Sequence, residues 1–224
     1  MPTATFFRLP EEKRARLMDA CWAEVIRVRF SEVSINRIIQ AARIPRGSFY
    51  QYFEDKEDLI RYLLEDLRQY FITLLRDILV EAKGDLFALP LMAYDRFISQ
   101  QGRTDPMLTV FIRVITLNKG IDMQNFMGGP PSFLPDALWE AVDPSRLRHC
   151  SRAYADQVFH LACAVLAFAV VETLDCLERP DFSTQAVRQV RDPAQTARIR
   201  ELINLRVDML RYGGASDSYK EEHT

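Results

Sequence analysis

Apolar residues recur at spacings of three and four along nearly the whole chain, and no stretch alternates with the period of a strand. The first stripe is Leu17, Cys21, Val25 and Val28, which predicts a helix over 10–28. Ser34 precedes Ile35, Ile38 and Ile39 as an N-cap would, and this second helix is short, stopping near Ala42. Pro45 fits the first position of a third helix, which is also short and ends near Phe53. Asp55 reads as the next N-cap, with Glu57 and Asp58 in the first turn, where carboxylates suit the helix dipole. A long amphipathic helix then runs to about Lys83, its stripe passing through Leu59, Leu63, Leu67, Phe71, Leu75 and Ile78, and Gly84 stops it.

Further helices are expected near 86–100, 105–118, 135–141, 146–178 and 193–212. A loop rich in Gly, Pro and Met spans 120–135, a polar connection spans 179–192, and the tail from Gly213 reads as frayed. The expected fold is all-α: a small three-helix head joined by one long helix to a larger bundle.

Composition narrows the class. With 224 residues, 48% hydrophobic and 27% charged, the chain has the balance of a globular protein, and a largely disordered chain is excluded. Only 8 Gly and 11 Pro exclude a collagen-like or low-complexity chain. The longest apolar run, 158–171, is broken by His160 and reads as a buried helix too short for a bilayer. Residues 1–20 carry Glu11, Glu12, Lys13, Arg14 and Arg16 and lack the apolar core of a secretory signal. Cys21, Cys150, Cys163 and Cys176 form no C-x-x-C pair and are expected to be reduced and buried in a cytoplasmic protein.

The net charge of −2 gives no global sign of a nucleic-acid partner, so such a site has to be local. One local excess stands out. Between Arg27 and Phe53 the arginines 27, 29, 37, 43 and 46 face the single acid Glu32, five against one, or +4. Two short helices after a longer one, joined by a tight turn, are the layout of a helix-turn-helix. The second of them carries Arg46, Ser48, Tyr50, Gln51 and Tyr52, all able to hydrogen-bond. By pattern alone, a DNA-facing surface and an ordinary solvated face of a bundle both remain open.

The stretch from Lys13 to Leu64 resembles the head of TetR/AcrR-family transcriptional regulators. The resemblance is strongest over Ile44-Pro-Arg-Gly-Ser-Phe-Tyr-Gln-Tyr-Phe-Glu-Asp-Lys-Glu-Asp-Leu59, and it covers about the first quarter of the chain. It implies that Ser34 meets a phosphate through its hydroxyl and backbone N–H, and that Asn36 and Arg37 reach base edges or backbone. Arg46, Gly47 and Ser48 would open the recognition helix, with Gly47 allowing close approach to DNA. Tyr50 and Lys56 would contact phosphate, and Gln51 would read a base. Phe49 and Phe53 are expected in the core. Two positions depart from the family pattern: Arg43 stands where Gly is usual, and Pro45 where Ser or Thr is usual. A left-handed Arg43 would cost roughly 1 kcal/mol more than Gly.

The resemblance further implies that the rest of the chain forms a homodimer interface and a pocket for a small effector. The helix over 146–178 is apolar on most faces in its middle, and Ala162, Ala164, Ala167 and Ala169 would permit close helix approach. The last helix, with Ile199, Leu202, Ile203, Leu205, Val207 and Leu210, would join it in a four-helix interface; a monomer with both helices in one core is the alternative. Met92, Phe97, Met107, Phe111, Ile115, Met123, Phe126, Met127, Phe133, Trp139 and Phe159 are candidate pocket lining, with His160 as a polar handle. Each is also an ordinary core candidate. His149, His160 and His223 are not spaced as a metal site, and no catalytic constellation is visible, so neither cofactor, metal nor enzymatic activity is expected.

The expected organisation is a DNA-binding domain over 1–55 and a ligand-binding and dimerisation domain over 56–224. The expected function is a cytoplasmic, ligand-responsive repressor without membrane contact, released from a palindromic double-stranded operator by a small apolar or aromatic effector. A helical small-molecule-binding protein that does not bind DNA is the alternative.

Overall fold

The computed structural model describes residues 1–100, 106–118, 133–175 and 193–213. Every regular element among them is helical. In chain order these are α1 (Ala4–Phe7), α2 (Glu11–Val25), α3 (Ile35–Ala42), α4 (Arg46–Tyr52), α5 (Lys56–Glu81), α6 (Leu89–Gln100), α7 (Pro106–Leu117), α8 (Asp136–Trp139), α9 (Arg152–Asp175) and α10 (Pro193–Tyr212). Two 3-10 turns, Phe30–Glu32 and Pro144–Arg146, lie between them. Packing divides the chain into two compact units, one of Met1–Phe71 with Pro106–Phe126 and one of Ile72–Asp105 with Met127–Thr224. The division therefore falls inside α5, whereas the sequence suggests a boundary after residue 55.

The first unit is built on the stripes expected from sequence. Leu17, Cys21 and Val25 of α2, Ile38 and Ala42 of α3, Phe49 of α4 and Leu59, Leu63 and Leu67 of α5 are all buried. Phe53, just past α4, is fully buried with them. Helix α1 has no counterpart in the sequence reading, because four residues are too few to show a period. Its Phe6 is fully buried, 5.2 Å from the ring of Phe53 and 5.4 Å from that of Tyr62. Helix α2 ends at Val25, short of the expected Val28. The chain after it is held from α7 instead: Arg113 Nε donates to the Ile26 carbonyl at 2.5 Å, and the Phe30 N–H donates to Asn118 Oδ1 at 2.9 Å. Phe71 stacks on Phe111 of α7 at 4.5 Å.

Helix ends explain the turns. At the end of α3, Arg43 adopts the left-handed conformation (φ 54°, ψ 47°). Its N–H donates to the Gln40 carbonyl at 3.2 Å, and that of Ile44 to the Ile39 carbonyl at 3.0 Å. This is the Schellman pattern, so the turn usual with Gly forms here with Arg at its strained position. Arg16 Nε adds a bond to the Ala42 carbonyl at 2.9 Å. Pro45 is the N-cap of α4 rather than its first residue. Asp55 caps α5 through the Asp58 N–H at 2.7 Å, and Asp58 reaches back to the Glu54 N–H at 3.3 Å. The far end of α5 repeats the Schellman pattern, with Lys83 left-handed and the Gly84 N–H donating to the Leu79 carbonyl at 2.8 Å. Gly84 is required by close approach, since a Cβ there would lie 2.3 Å from the backbone nitrogen of Asp143.

In the second unit α9 packs against α10 and α6. Its start corrects the sequence expectation: α9 begins at Arg152, not at residue 146. Asp143 caps the 3-10 turn Pro144–Arg146 by accepting from the Ser145 N–H, and Ser151 Oγ accepts from the Tyr154 N–H at 3.2 Å to open the helix proper. His149 and Cys150 therefore precede the helix, and Cys150 is exposed rather than buried. Cys21 and Cys163 are buried, and burial pushes both thiols up to about 12. Cys176 lies outside the described residues. The apolar run 158–171 lies within α9, where Val158, Phe159, Ala162, Val165, Leu166 and Ala169 are buried. The longer segment Arg152–Thr173 is long and apolar enough to cross a bilayer by length and composition only, a test that the core helix of a globular protein also passes.

Candidate nucleic-acid interface

Helices α3 and α4 have only eight and seven residues, fewer than an isolated helix needs in water, so packing must hold them. Their apolar sides are consumed by that packing. Phe49 and Phe53 are fully buried, as expected, and Tyr52 is buried too, so its side chain does not belong to the outward surface. Among the residues α3 and α4 present to solvent are Asn36, Arg37, Arg46, Gly47, Tyr50 and Gln51, all exposed, with Ser34 and Ser48 half-buried beside them. Two hydrogen-bonding amides, two guanidiniums and a phenol thus share an outer surface on two packed helices. Such a set can bond phosphate oxygens and base edges alike.

Several of these groups are already engaged. Arg46 Nη1 donates to Asn36 Oδ1 at 2.5 Å, tying the first residue of α4 to the first turn of α3. Lys56 Nζ donates to the Ser31 carbonyl at 3.1 Å. Ser34 occupies the N-cap position of α3, but its side chain makes no capping bond. Its N–H, which the resemblance assigns to a phosphate, donates instead to Glu24 Oε1 at 3.1 Å. That N–H is thus engaged within the head, while the half-buried hydroxyl makes no capping bond.

Glu24 is the residue that sequence reasoning missed. It lies three positions before Arg27, just outside the basic stretch 27–53. Its carboxylate is 5% exposed and takes Arg27 Nη2 at 2.7 Å, with Arg37 Nη1 at 3.7 Å. Two of the five arginines in the basic cluster thus lean on one buried acid, which fixes their place and lowers the net local charge. The only signal in sequence was a charged residue amid the apolar stripe of α2.

Gly47 needs a reason that the fold does not supply. A Cβ at this position would meet nothing within 4 Å, and its backbone is ordinary helix. Neither strain nor internal crowding calls for glycine here. At the N-terminus of α4, open space above a bare backbone leaves room for an external group.

The candidate pocket residues are placed in separate units. Met107 and Phe111 belong to the first, where Phe111 stacks on Phe71. In the second, Phe97 and Phe159 are buried, Met92 and Trp139 are half-buried, and Phe133 lies 5.8 Å from Phe159 and 4.4 Å from a stacked His160. Phe126, Met123 and Met127, and the side chain of Ile115, lie outside the described residues. Among the described residues no group of three His, Cys, Asp or Glu is placed to hold a metal.

Among the comparisons with known proteins, the family match falls on the head. Residues 17–63 match the family "Bacterial regulatory proteins, tetR family". "Transcriptional regulator AcuR" from Cereibacter sphaeroides is 46% identical over 46 residues, 20% of this chain and 21% of that protein. "HTH-type transcriptional repressor NemR" from Escherichia coli K12 is 25% identical over 124 residues, 54% of this chain and 62% of that protein. The chain thus spans about a fifth of the first relative's length and under two thirds of the second's. A crystal structure of a TetR family transcriptional regulator from Chloroflexus aurantiacus J-10-FL is 27% identical, covers 95% of this chain and 98% of its own, and has a TM-score of 0.49. The family match on residues 17–63 spans α3, α4 and the exposed polar surface they carry, so it is the head of this chain that is similar to the TetR family of bacterial regulatory proteins.

Proposed function

We propose that this protein is a cytoplasmic, homodimeric DNA-binding repressor whose hold on a palindromic operator is released by a small apolar or aromatic effector. DNA binding is assigned to residues 1–55, and effector binding and dimerisation to 56–224. The observation that carries the DNA reading is the joint exposure of Asn36, Arg37, Arg46, Gly47, Tyr50 and Gln51 on two short helices whose apolar sides are buried. Arg46 offers a fork for a guanine edge or a phosphate, Gln51 a bidentate pair for adenine, and Tyr50 and Ser48 hydroxyls for the backbone. Lys56 and the Ser34 hydroxyl flank them as phosphate partners. None of these roles needs bond-making chemistry, so the reading is of a binding protein and not an enzyme. Repression is supported by NemR, which is named a repressor.

The homodimer rests on a different observation. Helices α9 and α10 pack together and still expose large apolar side chains: Leu161, Phe168 and Val171 on one, Leu205, Met209 and Tyr212 on the other. The spacings 205, 209 and 212 make one stripe on α10. Beside it Glu172 Oε2 and Arg206 Nη1 are buried without a hydrogen-bond partner, although the two residues pair through other atoms at 2.8 Å. A second copy of the same helices would cover the stripe. For the effector, the support is the apolar group of Phe133, Phe159 and His160 with half-buried Met92 and Trp139 in the same unit, a lining suited to a flat apolar molecule.

The test is titration of the purified protein into its own upstream duplex and into a randomised duplex pool, at two salt concentrations, with an Arg46→Ala/Tyr50→Ala variant alongside. Specific binding that weakens with salt and is lost in the variant supports the reading. An absence of any selected duplex with the intact protein overturns it and leaves the helical small-molecule-binding alternative.

A further inference from the structure

Helix α4 is seven residues long, and most of the bonds that finish it come from far away in sequence. Its N-cap is Pro45, which offers no side-chain cap. At its other end the carbonyls of the last turn need donors that the helix itself cannot supply. The Phe53 N–H takes the Phe49 carbonyl at 2.9 Å. Two more are met by one residue near the start of the chain: Thr3 N–H donates to the Tyr52 carbonyl at 2.9 Å, and Thr3 Oγ1 donates to the Gln51 carbonyl at 2.5 Å. Thr3 is held in place by α1. It is the N-cap of that helix, whose Phe6 is fully buried against Phe53 and Tyr62. Phe53 comes directly after α4, so the same segment grips both the last carbonyls of α4 and its C-cap residue.

We propose that Thr3 is a positioning residue for DNA recognition: with Phe6 as its anchor, it closes the C-terminal end of α4 and so fixes the direction in which Tyr50 and Gln51 point. Its role in DNA binding rests on the proposed function; its role as a cap of α4 does not. Residues 1–9 fall outside the matched family segment, which begins at residue 17. The hydroxyl bond sits at the surface and the N–H bond closes only the last turn, so their loss should loosen α4 without unfolding the head.

The test uses the full chain with three substitutions. Thr3→Val removes the hydroxyl and keeps the N–H. Thr3→Pro removes both the hydroxyl and the N–H, at a residue whose φ of −72° proline can adopt. Thr3→Ser keeps both donors. Native-state hydrogen exchange reads the amides of residues 50–53 against those of α9, and duplex titration reads the selected operator against an unrelated duplex. The expected result is exchange at 50–53 faster by roughly two- to tenfold in Thr3→Val and Thr3→Pro, with α9 unchanged. Affinity for the operator should fall by a similar factor, that for the unrelated duplex should hold, and Thr3→Ser should restore both. Unchanged exchange at 50–53 in both variants overturns the cap. Faster exchange with unchanged operator affinity overturns its role in recognition. If the intact protein selects no duplex, the proposed function fails, and the exchange measurement still decides the cap.

Discussion

The two units are stabilised in opposite ways. In the second, α9 and α10 have 24 and 20 residues, and their stability comes from apolar faces laid along one another. In the first, the elements that carry the proposed contacts have eight and seven residues, and groups remote in sequence complete their ends. Arg16 takes a carbonyl of α3, Glu24 takes the N–H at its N-cap, and Thr3 takes two carbonyls of α4. Long helices tolerate local change because many contacts share the load. A short helix with borrowed caps concentrates its geometry in a few bonds, which suits a surface that must present side chains in one orientation.

That contrast is broken most forcefully in the core of the head. Phe53 is fully buried among Phe6, Phe49 and Tyr62, with ring centroids at 5.2, 5.6 and 6.1 Å. Phe53→Ala should destabilise the protein by roughly 3–5 kcal/mol, read as a lowered midpoint in guanidinium unfolding. The same truncation at Phe168, which is 62% exposed on α9, should change the stability of an isolated subunit by no more than about 0.5 kcal/mol. Equal losses at the two positions would mean that the exposed face of α9 is already covered within one chain.

The next effect concerns that face directly. Phe168→Asp would place a charge in the centre of the proposed contact between copies, at a cost of about 2 kcal/mol or more in association. Sedimentation should show the intact protein as a dimer and the variant shifted toward monomer at the same concentration. A variant that sediments like the intact protein would remove α9 from the interface.

The same contrast decides what could be read from sequence. The long helices were visible because apolar side chains at spacings of three and four repeat over many turns, and α10 runs from Pro193 to Tyr212 as the pattern suggests. The outer surface of α3 and α4 was visible because Arg46, Gly47, Tyr50 and Gln51 fall within one dense motif. Its supports were not. Thr3, Arg16 and Glu24 act through contacts spanning 48, 26 and 10 positions, and each used a side chain with no periodic signature. The start of α9 was missed for a related reason. Apolar and polar residues from 146 onward suit a helix, but Asp143 and Ser151 spend their oxygens on separate turns. Arg43 is the reverse case: Gly is the expected residue for a left-handed turn, yet two backbone bonds and Arg16 hold the turn with a side chain in place.

A smaller effect tests whether the borrowed supports matter as charges or as spacers. Glu24→Gln keeps an acceptor for the Ser34 N–H but releases Arg27 and Arg37, which are themselves about half exposed. The exposed partners are screened, so the loss of stability should be only about 1–2 kcal/mol. DNA binding should respond in a distinctive way. Freed arginines and the loss of one negative charge should strengthen binding to unrelated duplex and steepen its salt dependence, while the operator loses its advantage. A uniform weakening on every duplex would instead mean that Glu24 only supports the fold of the head.

The smallest effect on stability is the most specific to the interface. Gly47 sits in the first turn of α4, and an added Cβ meets nothing within 4 Å. Glycine in a helix is entropically costly, so Gly47→Ala should stabilise the protein by about 0.5 kcal/mol, seen as a slightly higher unfolding midpoint. If the backbone at Gly47 approaches DNA, the same methyl group stands between α4 and the duplex, and operator affinity should fall even as the fold gains. Opposite signs in the two measurements would locate the approach at this residue, because no defect in folding can produce them together. A variant that is more stable and binds as before would place the DNA elsewhere on the head. The glycine would then be a choice that neither the fold nor the duplex requires.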